Sequence, residues 1–161
     1  DAAFRAGAAA ALVNRKESLK ERPGLVAGDT LEAMKALGAA ARARTGAKIA
    51  AITGSVGKTG TKEALAHIPS AQGETGYSQN SLNNHLGVPL SAARLPASAA
   101  FGVLEIGMNH AGEITPLVGL VRPHVAVVTA IASAHREFFN SVEDIARQVV
   151  SSVGQHFSLS F

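Results

Sequence analysis

The sequence contains no cysteine and no tryptophan, and only one tyrosine among its 161 residues. The lack of cysteine excludes disulfides and thiolate metal sites, which is typical of a cytoplasmic protein. A formal net charge of only +3, scattered along the chain, and the shortage of tyrosine and tryptophan leave little to contact phosphates or stack on bases. We therefore expect no nucleic-acid partner.

Long apolar runs are also missing, because no run reaches the roughly 18 residues that span a bilayer. We expect no membrane insertion, and a composition of 47% hydrophobic and 17% charged residues is that of a soluble globular protein. Residue 1 is Asp rather than Met, and the final "QHFSLSF" contains no evident closing element. We therefore expect the chain to be a fragment.

From residue 47 onward, apolar strands alternate with amphipathic helices. The predicted strands are "KIAAIT", "FGVLEIG" and "HVAVVTAI", the last two of them buried. The predicted helices are Lys58 to His67, "LGVPLSAARL", and a stripe formed by Ile114, Leu117, Val118 and Val121. This alternation predicts an α/β fold with a mostly parallel sheet and helices on both faces.

The chain before residue 47 has a different pattern. Residues 1–30 predict short strands at "AALV" and "LVAG" around a charged loop, typical of a remnant of a smaller α/β N-terminal domain. Residues 31–46 predict a connecting helix capped by Asp29 or Thr30. Its predicted buried face consists of Leu31, Met34, Leu37 and Ala41.

The stretch "AITGSVGKTGTKE" has the order strand, glycine loop, helix that a phosphate-binding P-loop requires. Gly54 and Gly57 let backbone amides point into one concavity, Lys58 adds a positive charge, and the Thr59 hydroxyl can reach a metal ion. The usual spacing would place a glycine at Ile52, so this loop is a shorter form. The alternative is a glycine-rich turn with an incidental lysine. The predicted nucleotide-binding residues are Thr53, Gly54, Ser55, Val56, Gly57, Lys58, Thr59 and Gly60.

Other polar residues follow the predicted strands or precede a helix. Glu105 ends a buried strand, where it could hold Mg²⁺ or pair with a nearby lysine. Asn83 and Asn84 come just before a helix, which they could cap instead of facing a substrate. Asn109 and His110 lie in "GMNHAGEI" shortly after Glu105, and a lone histidine at such a point is often an ordinary loop residue.

The shortened loop resembles the ATP-binding loop of the Mur ligases, which build the peptide stem of bacterial peptidoglycan. The resemblance extends from about Phe4 to Arg147 through "NSLNNHLGVPLSAARLP", "VLEIGMNHAGEITPLVGLVRPHVAVVT" and "AHREFFNSVEDIAR". It implies a cytoplasmic, monomeric, ATP- and Mg²⁺-dependent ligase. The implied reaction joins D-alanyl-D-alanine to UDP-N-acetylmuramoyl-tripeptide through an acyl phosphate.

The resemblance also implies roles for individual residues. Lys58 and its loop would bind ATP, while Thr59 and Glu105 would hold one Mg²⁺. His135 would support a second Mg²⁺ from a strand adjacent to that of Glu105, and it would be catalytic together with Lys58. The residues expected near the substrates are Asn83, Asn84, Asn109 and His110. Residues 1–30 would belong to the UDP-substrate domain and residues 47–147 to the first part of the central ATP-binding domain.

The match ends after residue 147, and residues 148–161 form a divergent tail. The family continues with a lysine that is carbamylated to bridge metal ions, and the matching position here is Val149. Two alternatives stay open. A sister ligase, adding another amino acid or adding glutamates to folate, should lack "NNHLGVP" and "EIGMNHAGEI". A nucleotide-binding remnant would bind ATP without catalysis.

Overall fold

The structure is a computed structural model that describes residues 2–108, 110, 112–132 and 141–154. The strands are β1 (Ala11–Val13), β2 (Gly24–Val26), β3 (Lys48–Thr53), β4 (Thr75–Tyr77), β5 (Phe101–Glu105) and β6 (Val125–Val128). The α-helices are α1 (Ala2–Arg5), α2 (Thr30–Arg44), α3 (Lys58–Ser70), α4 (Gly87–Ala93), α5 (Ile114–Val121) and α6 (Val142–Gly154). A short 3₁₀ helix covers Lys16–Leu19.

The larger sheet has four strands in the order β4-β5-β3-β6, and every pairing is parallel. In the register, Ile52 lies opposite Glu105, and Thr53 lies opposite Val128. Because the strands are parallel, their carboxyl ends share one edge of the sheet. The residues that follow β3 and those that end β5 therefore meet at this edge.

Side chains of the central strands point alternately to the two faces of the sheet, and the core therefore has two layers. Ala51 and Leu104 face a layer formed with α4, α5 and α6, and α2 packs on the outside of α4 and α5. Ile52 and Val103 face the other side, where they pack with Ala66 of α3. Helices thus cover both faces of a parallel sheet, which confirms the predicted fold class.

The structure corrects two predictions about β6. Its sequence predicts a buried strand, yet Val125 is 57% exposed and Val128 is 40% exposed. The reason is its position, because β6 pairs with β3 at one edge and, among the described residues, no strand covers its other side. In addition, β5 and β6 are not adjacent as expected for Glu105 and His135, since β3 lies between them.

Strand β4 was missed by the sequence pattern, because its three residues, "TGY", form no apolar run. The strand exists through its pairing with β5, where Thr75 lies opposite Phe101 and Tyr77 opposite Val103. Gly76 allows close packing, since a Cβ there would lie 2.7 Å from the Leu95 side chain.

The predicted helix over residues 31–46 is α2. The Asp29 carboxylate caps it by accepting hydrogen bonds from the amides of Leu31 (2.8 Å) and Glu32 (3.0 Å). Its buried face agrees with the prediction at Ala41, which is 5% exposed, but not at Leu37, which is 43% exposed; Gly38 and Arg42 are buried as well. At Gly38 an added Cβ would lie 2.7 Å from the carbonyl oxygen of Pro89, so α2 and α4 approach too closely for a larger side chain there.

Strands β1 and β2 form a separate two-stranded parallel sheet before α2. The proposed domain boundaries stay predictions. Helix α6 continues through residue 148, at which the sequence predicts the start of a divergent tail. Within the described part of the chain, no helix combines the length and the apolar character needed to cross a membrane.

Candidate nucleotide-binding site

The loop between β3 and α3 has the backbone of a tight glycine turn. Gly54 adopts a φ of 133° and Gly57 a φ of 85°, both in a region that L side chains rarely occupy. A Cβ at Gly54 would also lie 2.2 Å from the Thr129 hydroxyl oxygen. Both positions therefore require glycine.

Residues after β6 anchor one side of this loop. The Ser55 amide donates to the carbonyl of Ala130 (2.9 Å), and the Ser55 hydroxyl donates to the carbonyl of Ala132 (3.1 Å). The Thr129 hydroxyl donates to the carbonyl of Val56 at 2.7 Å. The Ser55 amide is thus engaged within the protein, whereas the first amides of α3 have no partner within their helix.

A cleft of about 370 Å³ opens at the first turn of α3. The amides of Lys58, Thr59 and Gly60 have no carbonyl four residues behind them within the helix, so their hydrogens point out of its N-terminus. The helix dipole adds partial positive charge at the same place. The residues that line the cleft are Ser55, Val56, Gly57, Lys58, Thr59, Gly60, Ser81, Asn83 and Glu105.

Lys58 folds back onto its own loop. Its Nζ donates to the carbonyl oxygen of Gly54 at 2.6 Å and to that of Ser55 at 3.4 Å. The ammonium group therefore sits in the wall of the cleft, where its charge favours an anion. Thr53, the first residue of the predicted loop, is buried and ends β3, and its carbonyl accepts the Thr129 amide.

Glu105 is 1% exposed at the floor of the cleft. The Thr59 hydroxyl donates to its Oε2 at 3.2 Å, and the Asn83 side-chain amide donates to its Oε1 at 2.7 Å. The Lys62 ammonium lies 3.9 Å from Oε2. The structure therefore brings together Thr59 and Glu105, the two residues expected to share a metal, and it also provides the nearby lysine of the alternative interpretation.

The donor set of this site suits Mg²⁺ in part. The Thr59 hydroxyl and the Glu105 carboxylate are hard oxygen ligands, and they lie beside the amides and the lysine that would receive phosphates. Within the described residues no group of three or more His, Cys, Asp or Glu side chains could hold a metal. That is compatible with Mg²⁺, which commonly takes one or two protein ligands and completes its shell with phosphate oxygens and water.

The two adjacent asparagines have different environments. The Asn84 side-chain oxygen accepts hydrogen bonds from the amides of Leu86 (3.1 Å) and Gly87 (2.8 Å) at the start of α4. Asn83 instead faces Glu105 and packs against Gly107, where an added Cβ would lie 3.0 Å from the Asn83 side chain. Asn84 thus has the capping position, and Asn83 has the position in the cleft.

The structure does not bring His110 into this cleft. Its side chain is 56% exposed, and its Nδ1 lies 3.1 Å from Oε1 of Glu113. The His110 amide donates to the same carboxylate at 3.1 Å. Asn109 and His135 lie outside the described residues, so their roles stay predictions.

Lys62 is the residue of this site that sequence reasoning missed. Its side chain is fully buried, which is rare for lysine. A signal was present, because residues three apart share a helix face and Lys62 lies three residues after Thr59. That spacing places both side chains of α3 on the side of Glu105.

Comparison with known proteins identifies the family. The middle domain of the Mur ligases matches residues 52–151. The UDP-N-acetylmuramoyl-tripeptide–D-alanyl-D-alanine ligase of Escherichia coli K12 is 42% identical over 147 residues, which cover 91% of this chain and 32% of that protein. The ligase of the same name from Rickettsia prowazekii is 36% identical, over 87% of this chain and 31% of that protein.

Solved structures agree with this comparison. A crystal structure of MurF from Acinetobacter baumannii matches with a TM-score of 0.80 and 38% identity, covering 91% of this chain and 32% of that one. The MurF ligase of Thermotoga maritima, solved in complex with ADP, matches with a TM-score of 0.76 and 28% identity, covering 94% and 35%. The chain thus spans about a third of the length of these relatives. It belongs to the Mur ligase family, as a homologue of part of the MurF ligases.

Proposed function

We propose that this chain forms the ATP-binding part of a ligase of peptidoglycan precursor synthesis. The reaction of the whole protein would join D-alanyl-D-alanine to UDP-N-acetylmuramoyl-tripeptide, as the names of the relatives indicate. The observation that carries the proposal is the glycine loop at the N-terminus of α3, which faces the buried Glu105 across one cleft. The ADP complex of the Thermotoga maritima relative supports a nucleotide in this fold.

ATP would supply the phosphoryl group that activates a carboxylate, and Mg²⁺ would neutralise phosphate charge. The chain's contribution is to bind and orient. The first-turn amides of α3 and the Lys58 ammonium provide fixed positive charge for the phosphates. Thr59 and Glu105 would hold the metal, and Asn83 keeps the Glu105 carboxylate in place through its 2.7 Å hydrogen bond. Such positioning is the main protein contribution to phosphoryl transfer.

The Lys58→Ala substitution tests this proposal. We expect it to weaken Mg²⁺–ATP binding by about 10- to 150-fold, because a charge-assisted hydrogen bond contributes roughly 1.5–3 kcal/mol. Titration calorimetry on the 161-residue chain measures the change. Lys35→Ala is the matched control, since Lys35 lies on α2 and pairs with Glu32 at 2.7 Å. Equal affinities of the wild type and Lys58→Ala would contradict the proposal.

A second candidate is nucleotide binding without turnover by this chain acting alone. It is favoured by Val149, which occupies the position that the resemblance gives to a metal-bridging lysine and is 1% exposed within the main core. Valine can neither form a carbamate nor bind a metal. ADP release and product formation with UDP-N-acetylmuramoyl-tripeptide, D-alanyl-D-alanine, ATP and Mg²⁺ separate the two candidates. ATP binding without either product would favour the second.

A further inference from the structure

Lys62 is a buried cation with partners from three parts of the chain. Its Nζ donates to the carbonyl oxygen of Asn80 at 2.8 Å and lies 3.0 Å from Oε1 of Glu63 and 3.9 Å from Oε2 of Glu105. Glu63 is 58% exposed, so water screens its charge. Glu105 is the buried anion that Lys62 can balance.

Lys62 contacts Glu105 but does not line the cleft. Thr59, Asn83 and Glu105 line the cleft, whereas Lys62 is not among the lining residues. A ligand in the cleft would therefore meet the Glu105 carboxylate, whereas the ammonium of Lys62 is fully buried beside that carboxylate. Removing one charge from water is costly unless an opposite charge lies nearby, so each of these groups stabilises the other in its buried position.

The carbonyl of Asn80 adds a second link. Asn80 adopts a φ of 50°, which is uncommon for a residue other than glycine, and its carbonyl accepts from Lys62. The same loop carries Ser81 and Asn83 into the cleft. Lys62 thus joins α3, the floor of the cleft and the loop that holds Asn83.

We propose that Lys62 is a positioning residue that balances the charge of Glu105 before a divalent cation arrives. This role rests on the proposed Mg²⁺–nucleotide site, and it affects the order in which metal and nucleotide bind. Because Lys62 stays beside Glu105, a free cation meets a carboxylate whose charge is already balanced. The metal then binds well only together with phosphates that bring negative charge of their own.

The test is the affinity of the 161-residue chain for Mg²⁺ alone, measured from the rise in melting temperature with Mg²⁺ concentration and without nucleotide. In Lys62→Gln the Glu105 carboxylate has lost its counter-charge. We expect this variant to bind free Mg²⁺ at least about tenfold more tightly than the wild type. Lys35→Gln, on the surface of α2, is the control and should respond to Mg²⁺ as the wild type does.

The double variant Lys62→Gln/Glu105→Gln separates charge balance from simple packing. We expect it to melt at a higher temperature than Lys62→Gln in the absence of Mg²⁺, and to lose the enhanced Mg²⁺ response. If Lys62→Gln does not fold, recovery of folding in the double variant supports the same conclusion. A merely structural lysine would produce a loss of stability that neither Mg²⁺ nor Glu105→Gln relieves, and this result would overturn the inference.

The Mg²⁺ test on Lys62→Gln and the ATP-binding test on Lys58→Ala can succeed or fail independently. If the wild type binds no ATP but Lys62→Gln gains affinity for free Mg²⁺, the proposed function fails while the role of Lys62 stands. If Lys58→Ala weakens ATP binding but Lys62→Gln responds to Mg²⁺ like the wild type, the role of Lys62 is wrong and the proposed function stands.

Discussion

The roles of Asn83 and Asn84 depend on the conformation of the short loop that precedes α4. Asn83 and Asn84 are neighbours with the same side chain, yet one donates to a buried carboxylate and the other accepts from helix amides. Sequence reasoning left both roles open for both residues. The loop geometry assigns one contact to each, because consecutive side chains of this turn leave the backbone in different directions.

Substitution of these asparagines should separate stability from binding. Asn84→Ala removes a helix cap, and we expect a loss of about 1 kcal/mol in the free energy of unfolding with little change in Mg²⁺–ATP affinity. Asn83→Ala removes a donor to Glu105 within the cleft, and we expect it to weaken Mg²⁺–ATP binding. Urea denaturation and calorimetry measure the two quantities. If Asn84→Ala weakened binding more than Asn83→Ala, the assignment would be wrong.

We expect His124 to make the stability of the fold depend on pH. Its Nδ1 accepts a hydrogen bond from the Ile49 amide at 2.9 Å, which only an unprotonated Nδ1 can do. Partial desolvation of the ring lowers the pKa of His124, and the positive charges of Lys48 and Arg42 lower it further. A lowered folded-state pKa means that this contribution is complete above the unfolded value of 6.5 and is lost as the pH falls through the lower folded value.

We therefore expect the wild type to lose stability from about pH 7.5 to about pH 5.5, and His124→Asn to lose less. Asparagine offers an uncharged acceptor near the position of Nδ1. Melting temperatures at both pH values measure the difference. His67→Asn, in the last turn of α3, is the control and should follow the wild type. An equal decline in wild type and His124→Asn would contradict the role of the Ile49 hydrogen bond.

At the scale of elements, packing of α6 determines how much a substitution at each of its positions should cost in stability. Val149 of α6 is 1% exposed in the main core, where α6 packs against α5, whereas Val150 is 43% exposed. Val149→Lys should lower the free energy of unfolding by about 2 kcal/mol or more, because a buried ammonium loses its hydration. Val150→Lys should change it by at most about 0.5 kcal/mol. Urea denaturation compares them, and similar losses in both variants would argue against this orientation of α6.

At the scale of the whole molecule, the described residues leave one edge of the sheet without a further strand. Strand β6 pairs with β3, and the side chains of Val125 and Val128 are exposed on its two opposite faces. Open, apolar edge strands favour association between chains. We expect the 161-residue chain to self-associate or to bind a hydrophobic dye, and Val125→Lys to reduce both. Val150→Lys is the control, since Val150 is exposed on α6. A clean monomer that binds no dye would show that this edge is protected.

Features that depend on the local backbone or on the spacing of apolar residues could be predicted from the amino-acid sequence alone. The P-loop-like turn, the starts of α3 and α4, a cap of α2 at Asp29 or Thr30, and the α/β class all follow from glycine placement, capping chemistry and alternating patterns within short windows. The placement of Glu105 at the carboxyl edge follows likewise, because parallel strands end together.

Features that depend on partners distant in the chain could not be predicted in this way. Strand order placed β3 between β5 and β6 and left β6 half-covered, although its residues are as apolar as those of a central strand. Pairing with β5 made a strand of Thr75–Tyr77, which has no pattern of its own. Lys62 is buried because an anion from β5 and a carbonyl from the loop after β4 meet it there. Such burial arises from long-range contacts, and no local window of sequence contains both sides of them.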